Sequence, residues 1–485
     1  MKPPARLMTG PAVLADGARS RLEAAAVERH PRGLLAVDRL AFRVELGLLV
    51  FIVVTLPWEF TKLWFPTPLL EVSRLGTLAA LGILTVHALN GTLRVPRTRL
   101  LLAIGAVVGL HVVSFALTRT TNGLRDTAAI AVYACLAIFV AHVVADRRRV
   151  LTVVTALGMA ALIVALIVVA QEVGNFYLWQ AEGNAILGRR NATFGDPNVA
   201  SRFLAIALVA CLALLAAPST PRHLRIGTLI VAAVVAIADV LTLSRVGWVL
   251  AALVVAVWVP LARSRRWLGT GLAVVVVSFS VYLAAAPSTL QRAQAATADA
   301  IARTGIGEPG EEVEPPAVTP PDLRQATTPL DPMIQRLPLD SVRKSLIRAG
   351  VAMAIDHPLL GVGVGGYQRQ ILTTYWGFVP EDRRNNPTSL IHTEAVRVLA
   401  ETGVAGLLVW LGLLVAVAGS VLRAIRSPLP DRRIAAIAAG GVVLVIVIAS
   451  QFAGRFYSEP FLWLALGMVL VVSDASRWED APAAT

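Results

Sequence analysis

The chain has 485 residues, of which 56% are hydrophobic and only 15% charged. Soluble proteins of ordinary composition are about one quarter charged, so a soluble globular enzyme is excluded. The net charge of +13 comes from arginines grouped in short segments between apolar runs, which reads as membrane topology and argues against a nucleic-acid partner. Cys135 and Cys211 both lie inside apolar runs and offer neither a zinc site nor a disulfide framework.

Residues 1–41 are polar, rich in Lys and Arg, and without an apolar run. They are expected to form a cytoplasmic N-terminal segment rather than a cleaved signal. Apolar runs of roughly 17–25 residues then recur to about residue 472, each long enough for a hydrocarbon core of about 30 Å. They predict an all-α polytopic membrane protein with about 12 transmembrane helices. The first nine spans, within residues 42–286, fall near 42–57, 72–90, 99–117, 126–145, 151–171, 199–217, 225–243, 246–262 and 268–286. Residues 287–402 make one large loop between spans 9 and 10. Its first half, with EPGEEVEPPAVTPP, reads as irregular, and helical periodicity returns from about Ser341. Spans 10–12, within 403–473, fall near 403–422, 434–451 and 458–473, and residues 474–485 form a cytoplasmic tail.

Alternate loops differ sharply in charge. Arg94/Arg97/Arg99, Arg147–Arg149, Arg222/Arg225, Arg263/Arg265/Arg266 and Arg423/Arg426/Arg432/Arg433 share a side with the N-terminus, whereas the opposite short loops hold few basic residues. The positive-inside rule therefore puts both termini in the cytoplasm. Residues 172–198, the Ser244–Arg245 turn and the large loop then lie outside.

Four stretches on that outer side carry candidate chemistry. In RRNATFGDPNVA (189–200), Asp196-Pro197 reads as a helix start, with a capping carboxylate and proline at the first position. A helix start carries unpaired amides and a partial positive charge, so Arg189 and Arg190 just before it would complete an anion site. The plainer alternative is a pair of arginines reaching lipid phosphates. In LTLSRVGW (241–248), Ser244 caps a second outward helix start and Arg245 sits in the turn. Asp239 lies about 9 Å deeper on a helical rise, an intramembrane carboxylate that is either functional or an arginine's structural partner. In IHTEAVRVLAETGVAGLL (391–408), Glu394, Arg397 and Glu401 form one polar stripe. His392 points the other way, either as a core histidine or as a general base facing the anion site. In HPLLGVGVGGYQ (357–368), the glycines follow a helical pattern rather than a strand, so a dinucleotide fingerprint is rejected in favour of a tight turn with close backbone approach. Neither a Walker A sequence nor a metal-ligand spacing occurs, and no metal or cofactor is expected.

Taken in order, RNATFGDPN (190–198), LSRVGW (243–248), DHPLLGVGVGGY (356–367) and HTEAVRVLAETGVAGLL (392–408) resemble the O-antigen ligase and O-antigen polymerase superfamily of membrane glycosyltransferases. The resemblance covers roughly residues 40–470. It implies a glycan donor on undecaprenyl diphosphate, an active face in the periplasm of a bacterial inner membrane, and metal-independent transfer to an acceptor hydroxyl with inversion. Arg190 and Arg245 match the arginines that the family associates with the donor diphosphate, and His392 matches the proposed base, with Asn198 and Glu394 as secondary candidates beside Asp239. Asp196 stands where the family usually has Asn, and Thr393 stands where Asn usually follows the histidine.

That chemistry is physically coherent. A donor used outside the cell must carry its own activation, and diphosphate leaves well only if its growing charge is stabilised. Fixed arginines and helix dipoles do this without a metal. The acceptor distinguishes a ligase, which would use lipid A–core, from a polymerase, which would use another lipid-linked glycan; attachment to protein is a related option. A transporter or flippase for an anionic lipid is the alternative from another class, although transporters favour midplane sites between repeated halves.

Overall fold

The computed structural model describes residues 32–58, 72–176, 189–262, 265–285, 328–336, 341–379, 391, 393–454 and 456–479. It is 81% helical, with no strand among those residues. The chain divides into two compact units, residues 1–47 and 48–485. The described part of the first is the opening of helix α1 (Arg32–Thr55).

After the end of that helix, the second unit continues with α2 (Val72–Leu89), α3 (Arg99–Thr118), α4 (Thr121–Val143), α5 (Arg147–Gly174), α6 (Pro197–Ala216), α7 (Arg222–Leu241), α8 (Arg245–Ala262) and α9 (Arg266–Ala285). A smaller lobe holds α10 (Asp331–Gln335), α11 (Ser341–Asp356) and α12 (Tyr367–Ile371). The chain then returns through α13 (Glu394–Ile425), α14 (Pro430–Ala453), α15 (Pro460–Ser473) and the short α16 (Ser476–Glu479). Seven of these helices, α3–α7, α13 and α14, are long and apolar enough to cross a membrane, and four shorter apolar helices correspond to α2, α8, α9 and α15.

Helix α6 is the axis of the bundle. Its whole apolar window is buried, and it packs on α5, α7, α8, α9 and α14. Alanines recur along it, in PNVASRFLAIALVACLALLA. Small side chains let neighbouring helices approach closely, which is how packing replaces the hydrophobic effect between helices in lipid.

The two ends of the bundle differ in chemistry. At one end, arginines donate to carbonyls at helix C-termini: Arg225 to Ala217, Arg265 to Ala216, Arg432 to Val472, and Arg477 to Ala141 and Val144. The last carbonyls of a helix lack intrahelical donors and carry partial negative charge, so a guanidinium satisfies both deficits. The opposite end gathers the start of α6, the α7–α8 turn, the α3–α4 junction, the glycine-rich segment and the start of α13.

The lobe is held by its own apolar core of Leu346, Met353, Tyr367, Ile371, Tyr375 and Phe378, continuous with Ile391 and Ala400. Helix α13 is broken at Gly403, whose φ of 64° and ψ of −161° are not helical. The amides of Val404 and Ala405 bond instead to the carbonyls of Pro358 and Leu359, at 2.8 and 3.2 Å. In return, the amides of Val362 and Gly363 bond to the carbonyls of Ala400 and Glu401, each at 2.9 Å. The segment 358–363 thus repairs the broken ladder of α13. It comes close enough that a Cβ on Gly361 would stand 2.5 Å from the Ala400 oxygen. Close approach is therefore what the glycines of GVGVGG provide, together with the left-handed φ of 66° at Gly361.

Candidate active site

The two helix starts form as their sequences imply. Asp196 is the N-cap of α6, its carboxylate accepting from the Asn198 amide at 2.6 Å, with Pro197 at the first helical position. Ser244 Oγ accepts from the Gly247 amide at 3.2 Å and so caps α8. The α7–α8 turn is tight, with Leu243 at a left-handed φ of 52° and Thr242 Oγ1 donating to the Asp239 carbonyl at 2.7 Å.

One side chain joins the two starts. The Asn198 side-chain oxygen accepts from Arg189 Nη2 at 2.9 Å and from Ser244 Oγ at 3.0 Å. Arg189 Nε also donates to the Thr242 carbonyl at 3.1 Å, so its guanidinium is fixed across both helix ends. Arg245 is exposed at the first position of α8 and makes no hydrogen bond or ion pair with another described residue. Burial pulls the Arg189 guanidinium below its ordinary range; Asp196 opposes that, and the like charge of Arg245 adds to it. Two guanidiniums and two helix starts therefore converge around a single capping carboxylate, leaving a positive excess that suits an anion.

Arg190 is placed differently. It is 1% exposed, with Nε on Glu172 Oε2 at 2.8 Å and Nη2 on the Asn175 side-chain oxygen at 3.1 Å. Its amide donates to the Leu241 carbonyl at 3.4 Å. The backbone around it is pinned as well. Gln171 Oε1 accepts from the Ala192 amide at 2.8 Å, and Gln171 Nε2 donates to Asn191 at 3.2 Å. Arg190 thus ties the end of α5 to the end of α7, directly beneath the segment that presents Arg189.

Asp239 is fully buried on α7 and accepts from Ser201 Oγ on α6. Gly247 of α8 packs against the same pair, and a Cβ there would stand 3.0 Å from Asp239 Oδ1. On α13, Glu394 and Arg397 form a bidentate pair at 2.8 and 3.1 Å, with Glu394 entirely buried. Glu401 accepts from the Tyr367 amide at 3.3 Å and so holds the start of α12. His392 lies outside the described residues; Ile391 and Glu394 on either side of it are buried.

Sequence reasoning missed a second buried ion pair. Arg202, one turn along α6 from Asn198, bonds Glu459 at 2.9 Å and the Gly454 carbonyl at 3.2 Å. A Cβ on Gly454 would stand 3.2 Å from the Ile391 oxygen. The start of α6 is thereby connected to the chain entering α13. An arginine inside an apolar run was the available signal.

Two helix starts, the arginine turn between α7 and α8, and the glycine-repaired α13 thus occupy one end of one bundle. Residues 230–411 match the family described as O-antigen ligase. That stretch is an O-antigen ligase family domain. It contains Asp239, Ser244, Arg245, the glycine-rich segment and the start of α13, and so three of the four motifs that carried the resemblance. RNATFGDPN lies before it. No curated protein matches the chain. The matched stretch supports a ligase- or polymerase-like membrane glycosyltransferase, and with the apolar helices it points to a bacterial membrane protein.

Proposed function

We propose that the chain transfers a glycan from undecaprenyl diphosphate to an acceptor hydroxyl at the periplasmic face of the inner membrane, in the manner of an O-antigen ligase. The observation that carries this is the Asn198 bridge, which joins Arg189 to Ser244, the cap of the helix whose first residue is Arg245. The donor diphosphate binds there. The acceptor oxygen attacks the anomeric carbon, the bond from that carbon to the diphosphate oxygen breaks, and the diphosphate leaves on its polyprenyl lipid with its charge held by the guanidiniums. His392 takes the proton of the acceptor hydroxyl. Arg190, paired with Glu172, holds in place the segment that presents Arg189.

The same proposal comprises twelve spans, a periplasmic lobe within residues 287–402, and cytoplasmic termini. Its support is the segregation of arginine caps to one end of the bundle and of the candidate site to the other. The reaction needs no metal, because fixed cations stabilise the leaving group.

The test uses purified full-length protein, labelled lipid-linked donor and lipid A–core acceptor. Arg245→Ala and His392→Ala are expected to insert normally yet lose transfer, by about 10²–10³ for the cation and about 10²–10⁴ for the base. EDTA should leave the rate unchanged. Wild-type turnover in Arg245→Ala would overturn the diphosphate assignment. Product formed from the lipid-linked donor alone, without lipid A–core, would make the enzyme a polymerase.

A further inference from the structure

The opposite, arginine-rich end of the bundle also holds an unfilled space. There a cavity opens between α5, α6, α14 and α15, lined almost entirely by apolar side chains that include Leu157, Ala213, Ala438 and Met468. It extends along α5 from Arg147 to Leu157, about 15 Å at 1.5 Å per residue, or roughly half a hydrocarbon core. Alanines on α6, α14 and α15 form much of its wall. An apolar cavity gives water no hydrogen-bond partners and does not hold it.

Its mouth is polar and unbalanced in charge. Arg147, Ser219 and Asp431 line it. Asp431 pairs with Arg147 at 3.1 Å and accepts from Ser219 Oγ at 2.9 Å. Burial pulls the Arg265 guanidinium down from its ordinary range, and the neighbouring charges of Arg433 and Arg225 act in the same direction while Asp431 opposes. Arg148 is exposed beside Arg147 in the first turn of α5. The Nε atoms of Arg225 and Arg433 are buried and meet no acceptor among the described residues. Asp431 therefore faces several guanidiniums at the entrance to an apolar slot, while Asp146, which caps the same helix as Arg147, is committed to Arg149.

We infer that this cavity binds an anionic phospholipid, one acyl chain filling the slot between α5, α6 and α14 while the phosphate meets the arginines at the mouth. Both halves of the site fit that ligand class: a tail of half-bilayer reach, and a headgroup whose negative charge the mouth lacks. The site is separate from the proposed transfer site and does not depend on it.

Native mass spectrometry of the full-length protein, delipidated in detergent and titrated with phosphatidylglycerol or phosphatidylcholine, tests this. Wild type should retain one phosphatidylglycerol at least tenfold more tightly than phosphatidylcholine. Inorganic phosphate in excess should not displace it, since the phosphate alone lacks the chain. Ala438→Phe, which fills the slot, should weaken phosphatidylglycerol binding at least tenfold. Arg147→Gln combined with Arg148→Gln leaves the slot untouched and should abolish the preference for the anionic lipid, which keeps the proposal exposed if the first variant fails to fold. Equal binding of the two lipids by wild type, displacement by inorganic phosphate, or wild-type preference in the arginine variant would overturn it.

Discussion

Asn198 and Ser244 belong to different helices, yet the Asn198 side-chain oxygen accepts a 3.0 Å hydrogen bond from the Ser244 hydroxyl. The same oxygen holds Arg189 at 2.9 Å. A carbonyl oxygen has two lone pairs, and here both are committed, so one neutral acceptor sets the spacing between two positive helix starts and a guanidinium.

Asn198→Ala should therefore release Arg189 and loosen the α8 cap without removing a charge. Transfer is expected to fall about 10–100-fold, the range typical of supporting residues around a charged site. Asn198→Asp should fall further, because an added carboxylate neutralises Arg189 and repels the diphosphate. Steady-state rates with labelled donor distinguish the two, and a better rate in Asn198→Asp than in Asn198→Ala would contradict the charge-excess account.

The Glu172–Arg190 pair yields a different expectation. Removing one partner of a buried pair strands the other charge, at a cost of about 3–5 kcal/mol. Glu172→Ala should thus lower the thermal unfolding midpoint of the purified protein markedly. Arg190→Lys keeps the charge but loses the fork that spans Glu172 and Asn175. It should lower both stability and rate. A lysine variant with an unchanged midpoint and abolished transfer would instead place Arg190 on the donor itself.

The break in α13 gives a backbone prediction. Gly403 occupies a region of φ and ψ that side chains rarely enter, worth about 1–3 kcal/mol on substitution, and a Cβ there would also stand 2.6 Å from the Leu360 amide nitrogen. Gly403→Ala should destabilise the lobe more than Gly412→Ala in the same helix, where a Cβ meets nothing within 4 Å. Limited proteolysis compared between the two variants reads the difference.

In the lobe, hydrogen bonds from Arg348 hold the Asp331 carboxyl below its ordinary value of 3.8. A depressed carboxyl contributes stability that is present above the ordinary value and lost as pH falls through the folded one. Wild type should accordingly unfold at a higher temperature than Asp331→Asn at about pH 6, and the gap should close towards about pH 3. A gap that widened on acidification would reverse the assigned sign.

Much of the local structure was legible because it is written in short-range chemistry. Asp196-Pro197 and Ser244 cap their helices through bonds spanning two or three residues, and the apolar runs announce the long helices by length alone. What was not legible is long-range pairing. Nothing near Arg190 in sequence says that its partner is Glu172, and nothing near Arg202 points to Glu459. The polar stripe of Glu394, Arg397 and Glu401 reads as one continuous helical face, yet the helix breaks at Gly403 because Pro358 and Leu359 supply the missing acceptors.

Because α6 is shielded on every side by other helices, the bilayer gives it no face to rest on. One of its walls, α14, is synthesised more than two hundred residues later. During translation the flank awaiting α14 must be covered by lipid or by an insertion factor, and it trades that temporary cover for protein only near the end of the chain. Arg202, one turn into the same helix, meets Gly454 and Glu459 only once those last segments are made, so a ribosome-bound intermediate would hold that arginine unpaired beside an unfinished candidate site. Completion of the candidate site would then coincide with the arrival of the last spans.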